Sequence, residues 1–336
     1  MSKLIIPDNY RPVLDLYRTQ RAIEFIKVEF QKNLSRALNL KRVSAPLVLF
    51  ENTGMNDNLN GYERPVSFDI PDIKKNGEIV HSLAKWKRVA LKKYDFKVGN
   101  GLYTDMNAIR RDEEVDNLHS IYVDQWDWEK IIDEKDRNRG YLLATVKRIV
   151  DAIALTSKAL NKKFPELNVK ISNDFYTLTT QELYDLYPNL SPKERELEIT
   201  KEYGIVFLRN IGPTLSDGSL HDGRSPDYDD WSLNGDLLYY DKVLDCSIEL
   251  SSMGIRVNKE SLINQLKESN NEKRLQLDYH KMLINDELPL TIGGGIGQSR
   301  LCMLLMGACH IGEVQASLWD DETLKKCKDA GINILW

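Results

Sequence analysis

The segment Thr291-Ile-Gly-Gly-Gly-Ile-Gly-Gln-Ser-Arg300 places glycines directly ahead of an arginine. Bare glycine backbone lets a flat or phosphorylated ligand approach closely. An arginine leaving the first turn of a helix then adds its cation to the helix dipole, which suits an anion. The competing reading is a glycine-rich strand end packed tightly on a helix, with Arg300 at the surface. A second arginine lies in Asn107-Ala-Ile-Arg-Arg-Asp-Glu-Glu114, ahead of a turn. Taken singly, it reads as a solvated salt-bridge cluster on a hairpin. Neither Gly-x-x-x-x-Gly-Lys-Ser/Thr nor an early Gly-x-Gly-x-x-Gly is present, so ATP, if it binds, binds by another scheme. His81 and His119, with apolar neighbours on expected strands, read as satisfied structural histidines. Trp126 and Trp128 read as core or dimer packing.

The elements that must carry these residues follow from periodicity. Ile23, Ile26, Phe30, Leu34 and Leu38 recur at helical spacing and predict a long amphipathic helix over 15–39. Strands are expected in the apolar run after Pro46, to Phe50, and at 66–70, 79–83, 102–110 and 119–128, with a basic helix at 84–95. In 119–128, Ile121, Val123 and Gln125 fall on one face, and Tyr122, Asp124 and Trp126 on the other. Residues 138–204 read as helical, with a capping box and a first-turn proline at Ser191-Pro-Lys-Glu194. A strand at 204–210 precedes a polar stretch over 212–233, and a loop that long is usually functional or disordered; its Tyr and Trp residues argue for order. Paired strands are expected at 236–240 and 243–251. In the second, Asp245, Ser247, Glu249 and Ser251 alternate with Leu244, Cys246, Ile248 and Leu250. Helices to about 284, the glycine strand, a helix at 298–306 and a last strand near 314–318 complete the chain. Runs of hairpin-joined strands with helices around them predict an α+β fold: one domain over 1–336, built on a mainly antiparallel sheet flanked by helices.

Composition narrows the class. Hydrophobic residues at 42% and charged residues at 29% suit a soluble globular chain. No apolar run approaches the ~20 residues of a spanning helix, and the N-terminus turns polar too soon for a secretory signal, so a cytoplasmic protein without membrane contact is expected. Net charge is −5, from 46 basic and 51 acidic residues in thorough mixture, which argues against a broad nucleic-acid surface. Cys246, Cys302, Cys309 and Cys327 form no Cys-x-x-Cys pair and read as buried free thiols.

Together, the Arg110 hairpin and the glycine-rich strand with Arg300 resemble motifs two and three of the class II aminoacyl-tRNA synthetases. Leu40-Lys-Arg-Val-Ser-Ala-Pro-Leu47 is similar to motif one, whose proline lies at a dimer interface in that family. The resemblance sharpens at His81-Ser-Leu-Ala-Lys-Trp-Lys-Arg88, Tyr122-Val-Asp-Gln-Trp-Asp-Trp128, Pro226-Asp-Tyr-Asp-Asp-Trp231 and Glu249-Leu-Ser-Ser-Met-Gly-Ile-Arg256. These resemble the ammonia-dependent asparagine synthetase (aspartate–ammonia ligase) family nearly end to end. That likeness implies a homodimer with a class II synthetase catalytic core and no anticodon domain. Departures are the extension over 1–8 and Arg111, where proline is expected in a hairpin turn that is also a residue short.

The resemblance implies conversion of L-aspartate and ammonia to asparagine through an enzyme-bound β-aspartyl-adenylate, with ATP as substrate and Mg²⁺ as cofactor. It implies Arg110 at the α-phosphate and Arg300 near the phosphate tail, with Glu113, Glu249, Gly295 and Gly297 also at ATP. Asp236 and Glu249 offer hard oxygen ligands for Mg²⁺; otherwise they are solvated strand carboxylates. Lys87 and Arg224 are candidates for the substrate α-carboxylate. Asp57, Gln125 and Asp229 are candidates for its ammonium, and Ser251 is a further substrate contact. Lys87, among Lys85, Arg88, Lys92 and Lys93, also reads as part of a solvated basic face. Asp57, in Met55-Asn-Asp-Asn-Leu59, also reads as an Asx-turn residue. The resemblance makes it catalytic, positioning or deprotonating the attacking nitrogen, with Gln125 in the same catalytic set. The rival readings are a tRNA synthetase core and an inactive accessory paralogue; Ser2, in place of cysteine, disfavours a glutamine-dependent enzyme.

Overall fold

The structure, a computed structural model, describes residues 4–57, 59 and 63–336. Helix α1, Leu16–Leu38, begins where the Asp15 side chain accepts the Arg18 N–H, and ends at left-handed Asn39. Its expected apolar stripe is the buried one: Ile26, Phe30 and Leu34 have no exposed surface. Each such side chain contributes about 1.5–3 kcal/mol by burial. Phe30 meets Trp126 at 4.7 Å between ring centroids, so that tryptophan is core.

Short strands β1 (Leu40–Arg42) and β2 (Val48–Phe50) follow, then β3 (Ser67–Ile70), β4 (Lys75–Ile79) and helix α2 (Ala84–Lys93). Strands β5 (Gly101–Ile109) and β6 (Tyr122–Ile131) form the hairpin expected around Arg110. Helix α3 (Arg139–Lys163) packs along α1. Strand β7 (Tyr176–Thr179), helices α4 (Thr180–Leu186) and α5 (Pro192–Tyr203), and strand β8 (Ile205–Arg209) come next. Strands β9 (Asp229–Asp241) and β10 (Cys246–Arg256) are joined by a tight turn. Helices α6 (Lys259–Glu268) and α7 (Asp278–Ile284) lead to β11 (Thr291–Gly297), α8 (Gln298–Met306) and α9 (Asp321–Asp329).

The main sheet has the order β1-β5-β6-β11-β10-β9-β8-β7. Its outer pairs, β1·β5 and β7·β8, are parallel and every inner pair is antiparallel. This is the expected α+β architecture, and β2-β4-β3 form a small second sheet. One face of the main sheet packs on α1, α3 and α8 through the largest apolar cluster, which includes Trp126, Trp128, Ile255 and Ile296. The other face, bordered by α2 and α5, carries the polar residues. The expected alternation in β10 holds only to Leu250. A β-bulge lies between Glu249, opposite Leu238, and Ser251, opposite Leu237. Beyond it Ser252, opposite Asp236, takes the polar face.

Four further expectations are corrected. The strand placed at 79–83 is β4, which ends at Ile79; Val80 and Leu83 instead pack beneath Met106 as the chain turns into α2. The helical middle contains strand β7, whose partner β8 lies some thirty residues onward. His81 and His119 lie just outside strands rather than in them. No strand forms at 314–318, because β11 is already paired on both sides and the sheet's free edges belong to β1 and β7. Residues 1–3 of the expected extension lie outside the described residues. Its next turn is held by Asn117, which exchanges hydrogen bonds of 2.7 Å with the Ile5 backbone. The cysteines are free thiols, and all but half-buried Cys246 are buried.

Candidate active site

The inner antiparallel strands floor a cavity of about 670 Å³, within the usual range for small-molecule sites. Every site residue expected from the sequence lines it. Arg110, Glu113, Arg300, Glu249 and Asp236 do so, as do Gly295 and Gly297. Asp57, Lys87, Gln125, Arg224, Asp229 and Ser251 complete the set.

At one end, cations surround carboxylates. Arg110 leaves β5 where its N–H meets the Ile121 carbonyl at 2.9 Å. Its buried Nε has no partner among the described residues, and its Nη1 stands 3.8 Å from Glu113. Arg300, in the first turn of α8, donates to the Glu249 backbone carbonyl at 2.8 Å. Arg224 donates to Asp236 at 2.5 Å and to the Ser252 hydroxyl. Burial pushes the Glu249 carboxyl up, but Arg300, Lys193, Arg224 and Arg110 together hold it below its ordinary value. Asp236 goes the other way: burial raises it and the neighbouring Glu249 charge adds to that, against Arg224. Buried Asp236 and half-buried Glu249, on adjacent strands with the first held up partly by the second's charge, form a pair that a hard cation would relieve. Among the described residues no third His, Cys, Asp or Glu joins them. A cation there would therefore complete its shell with water or ligand oxygens.

At the other end the floor is a chain of buried ion pairs. Lys87 donates to Asp127 and, at 2.9 Å, to the Gly294 carbonyl. Burial lowers the pKa of Lys87, with the Asp127 charge opposing. Arg256 grips Glu129 through contacts of 2.7 to 3.1 Å, and also binds Asp229. The solvated basic face allowed for α2 does not form at Lys85, Lys87 and Arg88, all of which are buried. Asp127 and Asp229 each keep one buried carboxylate oxygen without a partner among the described residues. Such orphans are costly unless a ligand satisfies them. Ser251, beyond the bulge, spends its hydroxyl on the Gly295 carbonyl at 2.9 Å.

Asp57 occupies a recess. Its Oδ1 accepts the Leu59 N–H at 3.1 Å, the Asx turn that its sequence allows, and burial raises its pKa against nearby Lys85. Lys85 is itself held by Asp227 at 3.0 Å. Asp227 also binds Arg274 at 3.0 Å, His280 at 2.9 Å and the Ser225 hydroxyl at 2.9 Å. That knot anchors the long polar loop, so Arg224 before it and Asp229 after it both reach the cavity.

Sequence reasoning missed Asp127, Glu129, Ser252, Arg256, Tyr228 and Lys193. The first two continue the face on which Gln125 was placed, so extending the alternation would have reached them. Arg256 ends a quoted motif without having been given a role. Ser252 is hidden by the bulge, and Lys193 by its place in a capping turn.

A family model described as aspartate-ammonia ligase matches residues 17–331. The aspartate–ammonia ligase of Clostridium perfringens strain SM101 is 54% identical over 336 residues, all of both chains. That of Clostridium tetani is 56% identical over 334 residues, 99% of this chain and 98% of its own. Among solved structures, asparaginyl-tRNA synthetase from Pyrococcus horikoshii complexed with asparaginyl-adenylate superposes with a TM-score of 0.66. It is 13% identical, over 91% of this chain and 70% of that one. Aspartyl-tRNA synthetase from Entamoeba histolytica gives 0.59 at 16% identity, over 90% of this chain and 58% of that one. At such identities the likeness is one of fold: the class II aminoacyl-tRNA synthetase core.

Proposed function

The chain belongs to the aspartate–ammonia ligase family, and from that premise we propose that it converts L-aspartate, ammonia and ATP to L-asparagine, AMP and pyrophosphate through a β-aspartyl-adenylate. The observation that carries the reading is one cavity with a cation cluster around the Asp236 and Glu249 carboxylates at one end and acceptor-lined ion pairs at the other. A phosphate tail suits the first end and a small zwitterion the second.

Attack of the aspartate β-carboxylate on the α-phosphorus builds negative charge there and on departing pyrophosphate. Arg110, whose buried Nε has no partner among the described residues, stabilises the first, and Arg300 the second. Glu113, beside Arg110, orients it and contacts the nucleotide. Gly295 and Gly297 leave the β11 backbone bare for the nucleotide. Asp236 and Glu249 would hold Mg²⁺, which would supply neutralisation of phosphate charge. Lys87 and Arg224 supply cations for the α-carboxylate, and Asp229 offers its free oxygen to the α-ammonium, with Ser251 fixing the wall between them. Gln125 reaches the acyl centre, and Asp57 takes a proton from the attacking nitrogen. The protein acts as a cytoplasmic homodimer of single catalytic domains, without nucleic acid; no described helix is long and apolar enough to cross a membrane.

Product analysis tests this. With ATP, Mg²⁺, aspartate and ammonium the protein should release AMP and pyrophosphate, hydroxylamine should trap aspartyl hydroxamate, and glutamine should not replace ammonium. ADP and orthophosphate as products would rule out the adenylate.

A further inference from the structure

We propose that the imidazole Nε2 of His81 is the second acceptor of an ammonium-binding subsite shared with Asp57, where the incoming nitrogen gives up a proton before it attacks. The inference rests on the ligase reading above and adds to it a residue that the sequence had marked as structural.

His81 is 1% exposed yet lines the cavity, as does Asp57 at 2%. Asn56 clips the two together: its side-chain oxygen accepts the Asp57 N–H at 3.0 Å and the His81 N–H at 2.9 Å. The Asn56 amide is fixed in turn by Glu78 at 3.1 Å and by the Ile79 carbonyl at 3.3 Å. The clip fixes the backbone of both residues, and the ring is tethered through its own Nδ1. His81 Nδ1 lies 3.1 Å from the Asp57 backbone carbonyl. A carbonyl has no proton to give, so Nδ1 carries the hydrogen, and the neutral ring presents a lone pair at Nε2. That atom is buried and has no partner among the described residues.

A buried acceptor without a donor needs a ligand that brings one. Ammonium brings four N–H donors, and the Asp57 carboxylate and the His81 lone pair, both in the cavity lining, can each accept one. The chemistry balances with two acceptors. Ammonium, held by both acceptors, passes one proton to the Asp57 carboxylate, leaving neutral ammonia. Its lone pair forms the C–N bond at the β-carbonyl carbon of the adenylate, and the C–O bond to AMP breaks with its electron pair leaving on phosphate. The new nitrogen then sheds a second proton to His81 Nε2, and both protons pass to solvent.

The half-reactions separate the two claims. Wild-type protein should exchange labelled pyrophosphate into ATP with aspartate and Mg²⁺ but no ammonium; absence of exchange overturns the ligase reading and this inference with it. With exchange present, His81→Asn tests the subsite alone, since asparagine keeps a donor for the Asp57 carbonyl and has nothing at the Nε2 position. Asparagine formation at limiting ammonium should fall about ten- to a hundredfold further than exchange does, the range for losing a hydrogen bond to a charged group. His81→Gln, which carries a polar atom out to that position, should recover part of the loss. An unchanged ratio of synthesis to exchange in His81→Asn overturns the proposal. If that variant does not fold, ring ¹⁵N spectra of the wild type decide. The His81 Nε2 signal should be that of an unprotonated nitrogen and should move with ammonium chloride but not with sodium chloride. A signal indifferent to ammonium also overturns it.

Discussion

Arg300 commits one guanidinium N–H to a strand carbonyl, which fixes the plane of the remaining fork. A lysine at this position keeps the charge but cannot hold the strand and two phosphate oxygens together. Arg300→Lys should therefore lose on the order of a hundredfold or more in kcat; steady-state rates near wild type would show the planar fork to be dispensable. Asp57 acts at a different stage. Asp57→Asn should keep some pyrophosphate exchange while asparagine formation falls more steeply, with partial recovery at alkaline pH, where free ammonia is abundant. Equal loss in both assays, without alkaline rescue, would make Asp57 a substrate anchor instead. At this scale the sequence named residues from distant parts of the chain, and the fold brings them into one cavity. It did so by resemblance, because a pair such as Lys87 and Asp127 has no local signature. Local periodicity reaches Asp127 from Gln125 but says nothing of Lys87 on another element.

Strand β11 shows why an element can matter more than any one side chain on it. It runs between β6 and β10, and a Cβ on Gly293 would collide with the Glu129 carboxylate and stand 2.6 Å from an Arg256 nitrogen. Gly293→Ala must therefore break a buried ion pair or push the strand outward. Either route should cost about 3 kcal/mol or more, read as a lower urea midpoint at unchanged m-value. Elements with strong local signals were legible: α1 from its apolar stripe, α5 from its capping box, β11 and α8 from the switch between glycine run and helix. Strand β7 was not, because its four residues gain strand character only by pairing with β8. Helix α9 had signals that went unread. Asp320 caps it and acids open it, but only Thr323 and Cys327 are buried, too thin a stripe for periodicity to register. The bulge in β10 has no sequence mark at all, since it answers to the spacing of β9 and β11 around it.

For the whole molecule, pH sets a limit on stability that can be worked out in sign. His310 is buried, its Nδ1 accepts the Gly312 N–H at 3.0 Å, and its ring packs edge-on against Trp319 at 4.6 Å. Burial lowers its pKa from 6.5 to about 4, with Asp116 opposing, while Glu313 in the same turn accepts the His310 N–H. The unfolded chain thus takes up a proton that the folded chain refuses. Stability conferred by the neutral ring is complete above about 6.5 and drains as pH falls toward 4, on the order of 3 kcal/mol in all. Urea unfolding of His310→Asn should show a shallower decline between pH 7 and pH 5 than the wild type; parallel curves would mean that the ring titrates normally. The ion pairs beneath the cavity have a different consequence, which concerns ionic strength. Lys85–Asp227, Lys87–Asp127 and Arg256–Glu129 are all buried, whereas Lys97–Asp95 and Lys325–Asp329 stand in solvent. Mobile ions screen the second group and do not reach the first. Sodium chloride raised toward 1 M should therefore weaken capture of ATP, visible as a higher KM, while leaving the shape of the floor and the denaturant midpoint nearly where they were. A halophile's cytoplasm would slow the loading of this site without dismantling it.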